Sequence, residues 1–456
     1  MGDRCEVLDW AASGAMALTG MPDGAPAASP APALAMLAQV SAEFARVTVK
    51  TGKAVRVEPA ELVAGRAALA GFTRGGRVSA GRSSFLLRSA DGWCAVTLSR
   101  PDDVAAVPAI VGALGLDGAC RDAIATRAAA RAALTAAALA TSAEDFAAAA
   151  QLVGVPAAAL PASARPPAAG GPSPAGAASW PPWRTMRIAE PLAGTRLTGA
   201  VIADLSSMWA GPLCARLLGL AGATVIKVES LARPDGARSG NRAFFDWLHA
   251  GHRSVAVDFG TREGRAVLAS LLEVADVVIE SSRPRALAAL GVAPGMLPRR
   301  PGQVWLSVTG YGRSVPERVA FGDDAAVAGG LVGWTDNEWA GGEPAAPVFC
   351  ADAIADPLSG ACGALAVAQS LSAGGGELID LSMRDVAAAF AAAMPDHGPH
   401  DILPGGSVAC RRSRREQAVL PPRRPAPPAG PANHAAELGA DTGAVLAWLA
   451  GRRAAC

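Results

Sequence analysis

Charge of either sign is in balance in this chain of 456 residues, with 41 basic and 40 acidic side chains. No excess is left to recruit nucleic acid or an anionic membrane surface. Aromatics are scarce at 5%, with a single tyrosine, so the 51% hydrophobic content is carried mostly by small residues whose helices should pack closely. No unbroken apolar run approaches the ~18 residues that span a bilayer, and Met-Gly-Asp-Arg-Cys-Glu lacks the basic and apolar regions of a secretion signal. The eight cysteines (Cys5, Cys94, Cys120, Cys214, Cys350, Cys362, Cys410, Cys456) contain no CxxC pair, and the five histidines add no zinc spacing. The expectation is therefore a cytoplasmic protein with reduced thiols, no metal site and no membrane partner.

Proline and glycine, by contrast, are abundant and punctuate the chain. The Pro-rich stretch from Pro161 to Pro182 removes donors and fixes φ, and it reads as part of a linker over 161–188. A second such stretch, Leu420 to Pro431, falls within a C-terminal segment over 401–456, where Leu438 to Leu449 is expected to form a docked helix. Between them, in a domain placed at 189–400, β-branched runs alternate with helical patterns. These runs are Ala200-Val-Ile-Ala, Thr224-Val-Ile-Lys-Val, Ser254-Val-Ala-Val, Asp276-Val-Val-Ile-Glu, Val304-Trp-Leu-Ser-Val and Glu377-Leu-Ile-Asp-Leu. That alternation predicts an α/β fold, a Rossmann-like, mostly parallel sheet covered on both faces. Thr261 is placed to cap the helix that follows, with Glu263 in its first turn. Residues 1–160 differ, with Asp91-Gly92 between alternating runs giving a hairpin signal. They are expected to form a smaller α+β domain, placed N-terminally.

The first βα turn, Ala203-Asp-Leu-Ser-Ser-Met-Trp-Ala-Gly-Pro212, lacks GxGxxG and so offers a dinucleotide pyrophosphate no glycine cradle. A carboxylate at a small-residue helix start, Val348-Phe-Cys-Ala-Asp-Ala-Ile-Ala-Asp356-Pro-Leu-Ser-Gly360, is a candidate nucleophile. A plain helix-capping role for Asp356 is its alternative.

Together with Ala210-Gly-Pro212, Lys227-Val-Glu229, Leu248-His-Ala-Gly-His-Arg-Ser-Val-Ala-Val-Asp258, Asp276 to Pro284 and Leu306-Ser-Val-Thr-Gly-Tyr-Gly312, this segment resembles the family III CoA-transferases. That group includes formyl-CoA transferase, carnitine CoA-transferase and α-methylacyl-CoA racemase. The resemblance implies an acyl-CoA transferase that moves CoA between carboxylic acids through an aspartyl-CoA thioester on Asp356, with Asp352 as second choice. It implies a homodimer, acyl-CoA and carboxylic acid as substrates, and no cofactor, CoA itself being a substrate. Backbone amides around Ser359 and Gly360 are the implied oxyanion donors. The implied CoA contacts are Trp209, Ala210, Arg233, Arg253, Ser281, Arg283 and Arg285, with Arg238 as a further arginine in range. Trp209, Ser230 and Ala289 depart from the residues frequent in the family, which keeps a non-catalytic acyl-CoA-binding protein as a rival. A racemase-like isomerase is the other rival, but Asp323 stands where that branch has a histidine. The hairpin region resembles the family's small domain, yet it precedes the matching core, an order that suggests a permuted or fused, partly degenerate copy.

Overall fold

A computed structural model of the chain describes residues 5–116, 126–164, 179–335, 345–393, 400–403, 406–428 and 433–454. All six expected strands form, and they join a seventh in one sheet. We number them β1 (Trp183–Arg187), β2 (Val201–Asp204), β3 (Thr224–Ser230), β4 (Arg253–Val257), β5 (Val277–Glu280), β6 (Val304–Thr309) and β7 (Glu377–Ser382). The order across the sheet is β1-β7-β6-β5-β2-β3-β4, parallel throughout except for β1, which runs antiparallel to β7. β1 escaped the sequence reading because Trp-Arg-Thr-Met-Arg is largely exposed and carries no buried alternation.

Side-chain alternation sends Ile202, Ile279, Leu306 and Ile379 to one face, where the helices Ala210–Leu220 and Ala355–Ser372 cover them. Val201, Ala203, Ile226, Val228, Val278 and Trp305 face the other way, onto the helix Arg262–Val274. That helix is capped as expected, Thr261 accepting from the Gly264 amide. Glycine sets how closely the first layer approaches. A Cβ on Gly360 would lie 2.7 Å from the Ala210 carbonyl, so the helix Ala355–Ser372 crosses the start of its neighbour almost backbone to backbone.

The first 160 residues place most of their buried apolar side chains in two separate cores. The helix Ala31–Thr51 buries Leu34, Leu37, Val40, Phe44 and Val47, a stripe of helical period, in the same apolar cluster as Leu358 and Leu365 of Ala355–Ser372. Described residues between Phe85 and Ala157 build a cluster of their own, including Phe85, Val96, Ile110, Leu134 and Phe146. Within it the Asp91-Gly92 hairpin pairs Ser84–Arg88 with Trp93–Thr97, and Ala157–Ala159 adds a third strand.

At the C-terminal end, His400–Leu403, Ser407–Cys410 and Arg415–Ala418 form a small antiparallel sheet that the proline-dominated reading of this segment did not foresee. The last helix starts at Thr442 rather than Leu438, because Gly439 is left-handed (φ 74°) and Asp441 is used elsewhere. Its start lies against the edge of β4, where Asp441 accepts from the Ser254 amide and Thr442 from the Ala256 amide. Two edge donors of the sheet are thereby satisfied by side chains instead of being left open to another strand.

Arg238 is one of the arginines considered above for CoA, and the fold employs it otherwise. It donates to Glu229 at 2.6 and 2.9 Å, to the Ala436 carbonyl and to Ser254, and it stacks on Phe245. Glu229 is buried, so Arg238→Ala strands a buried carboxylate and is expected to destabilise the fold by about 3 kcal/mol. Urea unfolding of the variant, with the slope unchanged and the midpoint lowered, measures it.

Candidate active site

The order of the six parallel strands reverses between β2 and β5, and in open α/β sheets ligands bind beyond the strand ends at such a point. The loops leaving these two strands meet there, with the Ser207 amide donating to Ser281 Oγ at 3.3 Å. A buried ionic group holds the β2 loop from beneath. Lys227 Nζ donates to the Ser206 carbonyl at 3.0 Å and pairs with Asp235 at 2.9 Å, while Asp204 accepts from the Ser206 amide. Asp235 also accepts from the Met208 amide, and Glu229 accepts from the Asp235 amide. Lys227-Val-Glu229 is therefore the anchor of the switch-point loops, both its charges being spent inside the protein.

Four carboxylates gather beside this point. Asp356 occupies the second position of the helix Ala355–Ser372, whose N-cap is Ile354, so the carboxylate is not a capping group. Asp323 and Asp324 open the helix Gly322–Ala328, and Asp352 lies in the loop before Asp356. Asp323 accepts from Ser84 Oγ at 2.8 Å and from the Ala353 amide at 3.1 Å, and Asp324 accepts from Thr97 at 2.8 Å. Ser84 and Thr97 come from the hairpin, which is how residues 84–97 reach the site. Asp323, Asp324 and Asp352 are buried, whereas Asp356 retains partial exposure, making it the member of the four that a substrate reaches most readily.

The cation facing this cluster is Arg66, from the helix Pro59–Ala70. Its Nε lies 3.5 Å from Asp352 Oδ2, and its guanidinium stacks 4.9 Å from the Trp209 ring and close to Phe72 and Phe244. Burial raises the Asp356 carboxyl to about 7; Arg66 pulls against the rise, while Asp323 and Asp352 add to it. Burial likewise lifts Asp352 to about 6 and Asp324 to about 8, and it raises Asp323. A carboxyl so perturbed at a crevice marks a functional-site candidate, and Arg66 is the group that favours its ionised form.

Backbone strain marks the same place. Ala351 and Ala353 flank Asp352 with φ of 52° and 42°, and Met208 in the β2 loop has φ 72°. Left-handed backbone costs a non-glycine residue about 1 kcal/mol or more, and it concentrates at functional sites. Close approach adds a further constraint at Gly322, where a Cβ would lie 2.3 Å from Asp356 Oδ2 and 2.4 Å from the Ala353 carbonyl. Gly322→Ala is thus expected to displace Asp356 and to cost about 1–3 kcal/mol of stability. Thermal unfolding tests this, and a variant as stable as the parent would mean that the contact relaxes freely.

The other anticipated contacts are scattered around the crevice. Trp209 is buried, edge-on to Phe244, with its indole N–H lacking a protein partner, and Ala210 begins the helix behind it. Arg283, next to Ser281, is partly buried; burial lowers its pKa first, and the nearby charges of Arg285, Arg100 and Arg233 lower it further. These four guanidinium groups share one region at the mouth of the switch point. Arg285 also meets Glu317 at 2.6 Å, and Arg100 meets Asp103 at 2.6 Å. Arg253 stands apart, exposed at the start of edge strand β4 and level with Ile226, one step before the Asp204–Lys227–Ser254 row. The amides of Ser359 and Gly360 cannot serve an oxyanion, because a helix beginning at Ala355 takes both into its i→i−4 ladder. Sequence reasoning missed Arg66, Arg100, Ser84 and Thr97, which nothing local distinguishes from surface residues.

Residues 197–421 match CoA-transferase family III. Among curated proteins the chain is 34% identical over 154 residues to an acyl-CoA transferase of Fusarium pseudograminearum, covering 30% of this chain and 34% of that protein. It is 31% identical over 217 residues to the succinate–glutarate CoA-transferase of Agrobacterium fabrum, covering 43% and 53%. With the succinyl-CoA–D-citramalate CoA-transferase of Chloroflexus aurantiacus it shares 29% over 199 residues, covering 40% and 48%. A solved CAIB/BAIF family protein from Brucella suis aligns at 28% identity with a TM-score of 0.38, covering 44% of this chain and 56% of that one. The chain thus spans about a third to a half of the length of these curated relatives. The likeness to CoA-transferase family III thus rests on residues 197–421, just under half of the chain.

Proposed function

We propose that this protein moves CoA between carboxylic acids, with Asp356 as the nucleophile. The observation that carries the reading is the position of Asp356: a partly exposed carboxyl, beside a strained loop and opposite a stacked arginine, at the point where the sheet order reverses. An Asp356 carboxylate oxygen attacks the acyl-CoA thioester carbonyl, the C–S bond breaks, and CoA thiolate leaves behind an acyl-aspartyl anhydride. The thiolate then attacks the aspartyl carbonyl, expelling the first acid as its carboxylate and leaving an aspartyl-CoA thioester. A second carboxylate reverses both steps. The carboxylate supplies the electron pair and the thiolate is its own leaving group, so the chemistry calls on no further cofactor.

Arg66 would favour the ionised nucleophile, and Arg233, Arg283, Arg285 and Arg100 would meet the phosphates of CoA. The relatives' names join succinate with glutarate or citramalate, which supports small carboxylic acids as the exchange partners. A racemase reading draws little support, since both oxygens of Asp323 are engaged by Ser84 and the Ala353 amide. We also propose that the protein works as a homodimer. Among the described residues, no helix is long and apolar enough to cross a membrane.

The test is incubation with a panel of acyl-CoAs, followed by hydroxylamine and mass spectrometry of the intact chain. The reading requires a CoA adduct on the Asp356 peptide that hydroxylamine removes, together with exchange of CoA onto a second acid. Binding of acyl-CoA with neither adduct nor exchange would make this a carrier.

A further inference from the structure

Cys5 and Cys410 are far apart in sequence, and the thiol of Cys5 lies 3.0 Å from Nε2 of His400, 395 positions away. The ligand atoms of Cys5, His400 and Cys410 all fall within 4.8 Å of one another. The fold brings them together through pairing. His400 and Cys410 are directly opposed across the antiparallel strands His400–Leu403 and Ser407–Cys410, which puts their side chains on one face. Cys5 precedes the helix Glu6–Ala12, whose Val7 and Leu8 belong to the same apolar cluster as Val408 and Cys410.

We propose that Cys5, His400 and Cys410 form a binding site for a single zinc ion, with water in the fourth position. Two thiolates and an imidazole suit Zn2+ better than the oxygen-seeking magnesium or calcium. Bond lengths of about 2.3 Å to sulfur and 2.0 Å to nitrogen put neighbouring tetrahedral ligand atoms roughly 3.5–3.8 Å apart, so the cluster needs only a small adjustment around an ion. The surroundings provide what thiolate ligands demand. Backbone N–H groups of Leu8 and Val7 are directed at the Cys5 sulfur, and those of Ser413 and Arg412 at that of Cys410. The Cys410 turn owes that aim to Arg414, which is left-handed (φ 54°) and whose amide closes onto the Cys410 carbonyl at 2.9 Å. Both cysteines are buried, so the sulfurs are shielded from competing oxidants. Binding releases the two thiol protons and ties the start of the chain to the small C-terminal sheet. The sequence offers no spacing signal for this site, because its three ligands lie on segments joined only by the tertiary fold.

Cobalt titration of the full-length, reduced and chelator-stripped protein tests the proposal. One equivalent of Co2+ should give sulfur-to-cobalt charge-transfer absorption and the intense visible bands of tetrahedral coordination, both abolished by Zn2+. Cys5→Ala and Cys410→Ser should each lose the charge-transfer band, whereas Cys94→Ser, in the separate hairpin core, should keep it. His400→Gln should retain the band while shifting the visible absorption, a readout that remains should Cys410→Ser fail to fold. The proposal falls if stoichiometric cobalt produces no such band, or if the band survives both cysteine variants. It also falls if intact mass in reducing buffer shows the two thiols already joined as a disulfide.

Discussion

Asp356→Ala and Asp356→Asn are each expected to lower CoA exchange by at least ~10³-fold, about 4 kcal/mol in transition-state stabilisation, with acyl-CoA affinity changed little. In the proposed mechanism this carboxylate is the electron donor of the first step, and no neighbour replaces it without moving. Asp352 is buried against Arg66 between two left-handed alanines, and Asp323 is committed to Ser84 and the Ala353 amide. The asparagine variant matters most, since it keeps the shape and removes only the charge and nucleophilicity. Exchange followed by mass spectrometry, with binding measured separately by calorimetry, distinguishes loss of chemistry from loss of affinity. Near-parental exchange by Asp356→Asn, combined with inactivity of Asp352→Asn, would move the nucleophile to Asp352.

Arg66→Met should have the next largest consequence, and its signature is a shifted pH profile. Guanidinium near a carboxyl favours the ionised form, by about 1–3 pH units for a close pair. Its removal therefore raises the pKa of Asp356 from about 7, and the acid limb of kcat/KM moves upward by at least about one unit. At pH 7 the variant should be roughly tenfold or more slower, recovering toward the parent near pH 9. Arg66→Lys should lie between the two. A merely structural role for Arg66, packed among Trp209, Phe244 and Phe72, would instead give a loss independent of pH. Stability runs the opposite way. The folded pKa values of Asp352, Asp356 and Asp324 stand above the ordinary ~3.9, so the folded state holds protons that the unfolded chain releases. Their contribution is fully present below about pH 4 and is lost as pH rises through about 6 to 8. Arg66→Met should extend that loss to higher pH, which thermal unfolding across pH 5–9 would record.

The sheet was legible from residues alone because its signals are local. Six short β-branched runs, separated by capped helices, fix a parallel α/β core whatever the rest of the chain does. The helix start at Asp356 is legible for the same reason, its small residues standing together in the sequence. Strand β1 and the sheet over 400–418 were not, since exposed or mixed polar strands take their pairing from a partner. Arg66 could not be found by reading along the chain. In the alanine-rich run Pro59 to Ala70 it has the look of a solvated charge, and only the packing of that helix near Trp209 turns it inward. The structural role of Arg238 is hidden for a related reason, its partner Glu229 being a motif residue whose own role becomes visible only once the loops are folded.

The apolar stripe of the helix Ala31–Thr51 has a consequence for how the protein is made. Its partner helix, Ala355–Ser372, is synthesised roughly 300 residues later, which at ribosomal rates of about 5–20 residues per second is a delay on the order of 15–60 s. Throughout that interval only the neighbouring helices Glu6–Ala12 and Pro59–Ala70 are available to cover Leu34, Leu37, Phe44 and Val47, although the separate core between Phe85 and Ala157 can already close. The nascent chain thus passes through a stage with one finished module and one apolar helix still lacking its main partner. The yield of active protein should therefore depend on chaperone supply more steeply than its final stability suggests.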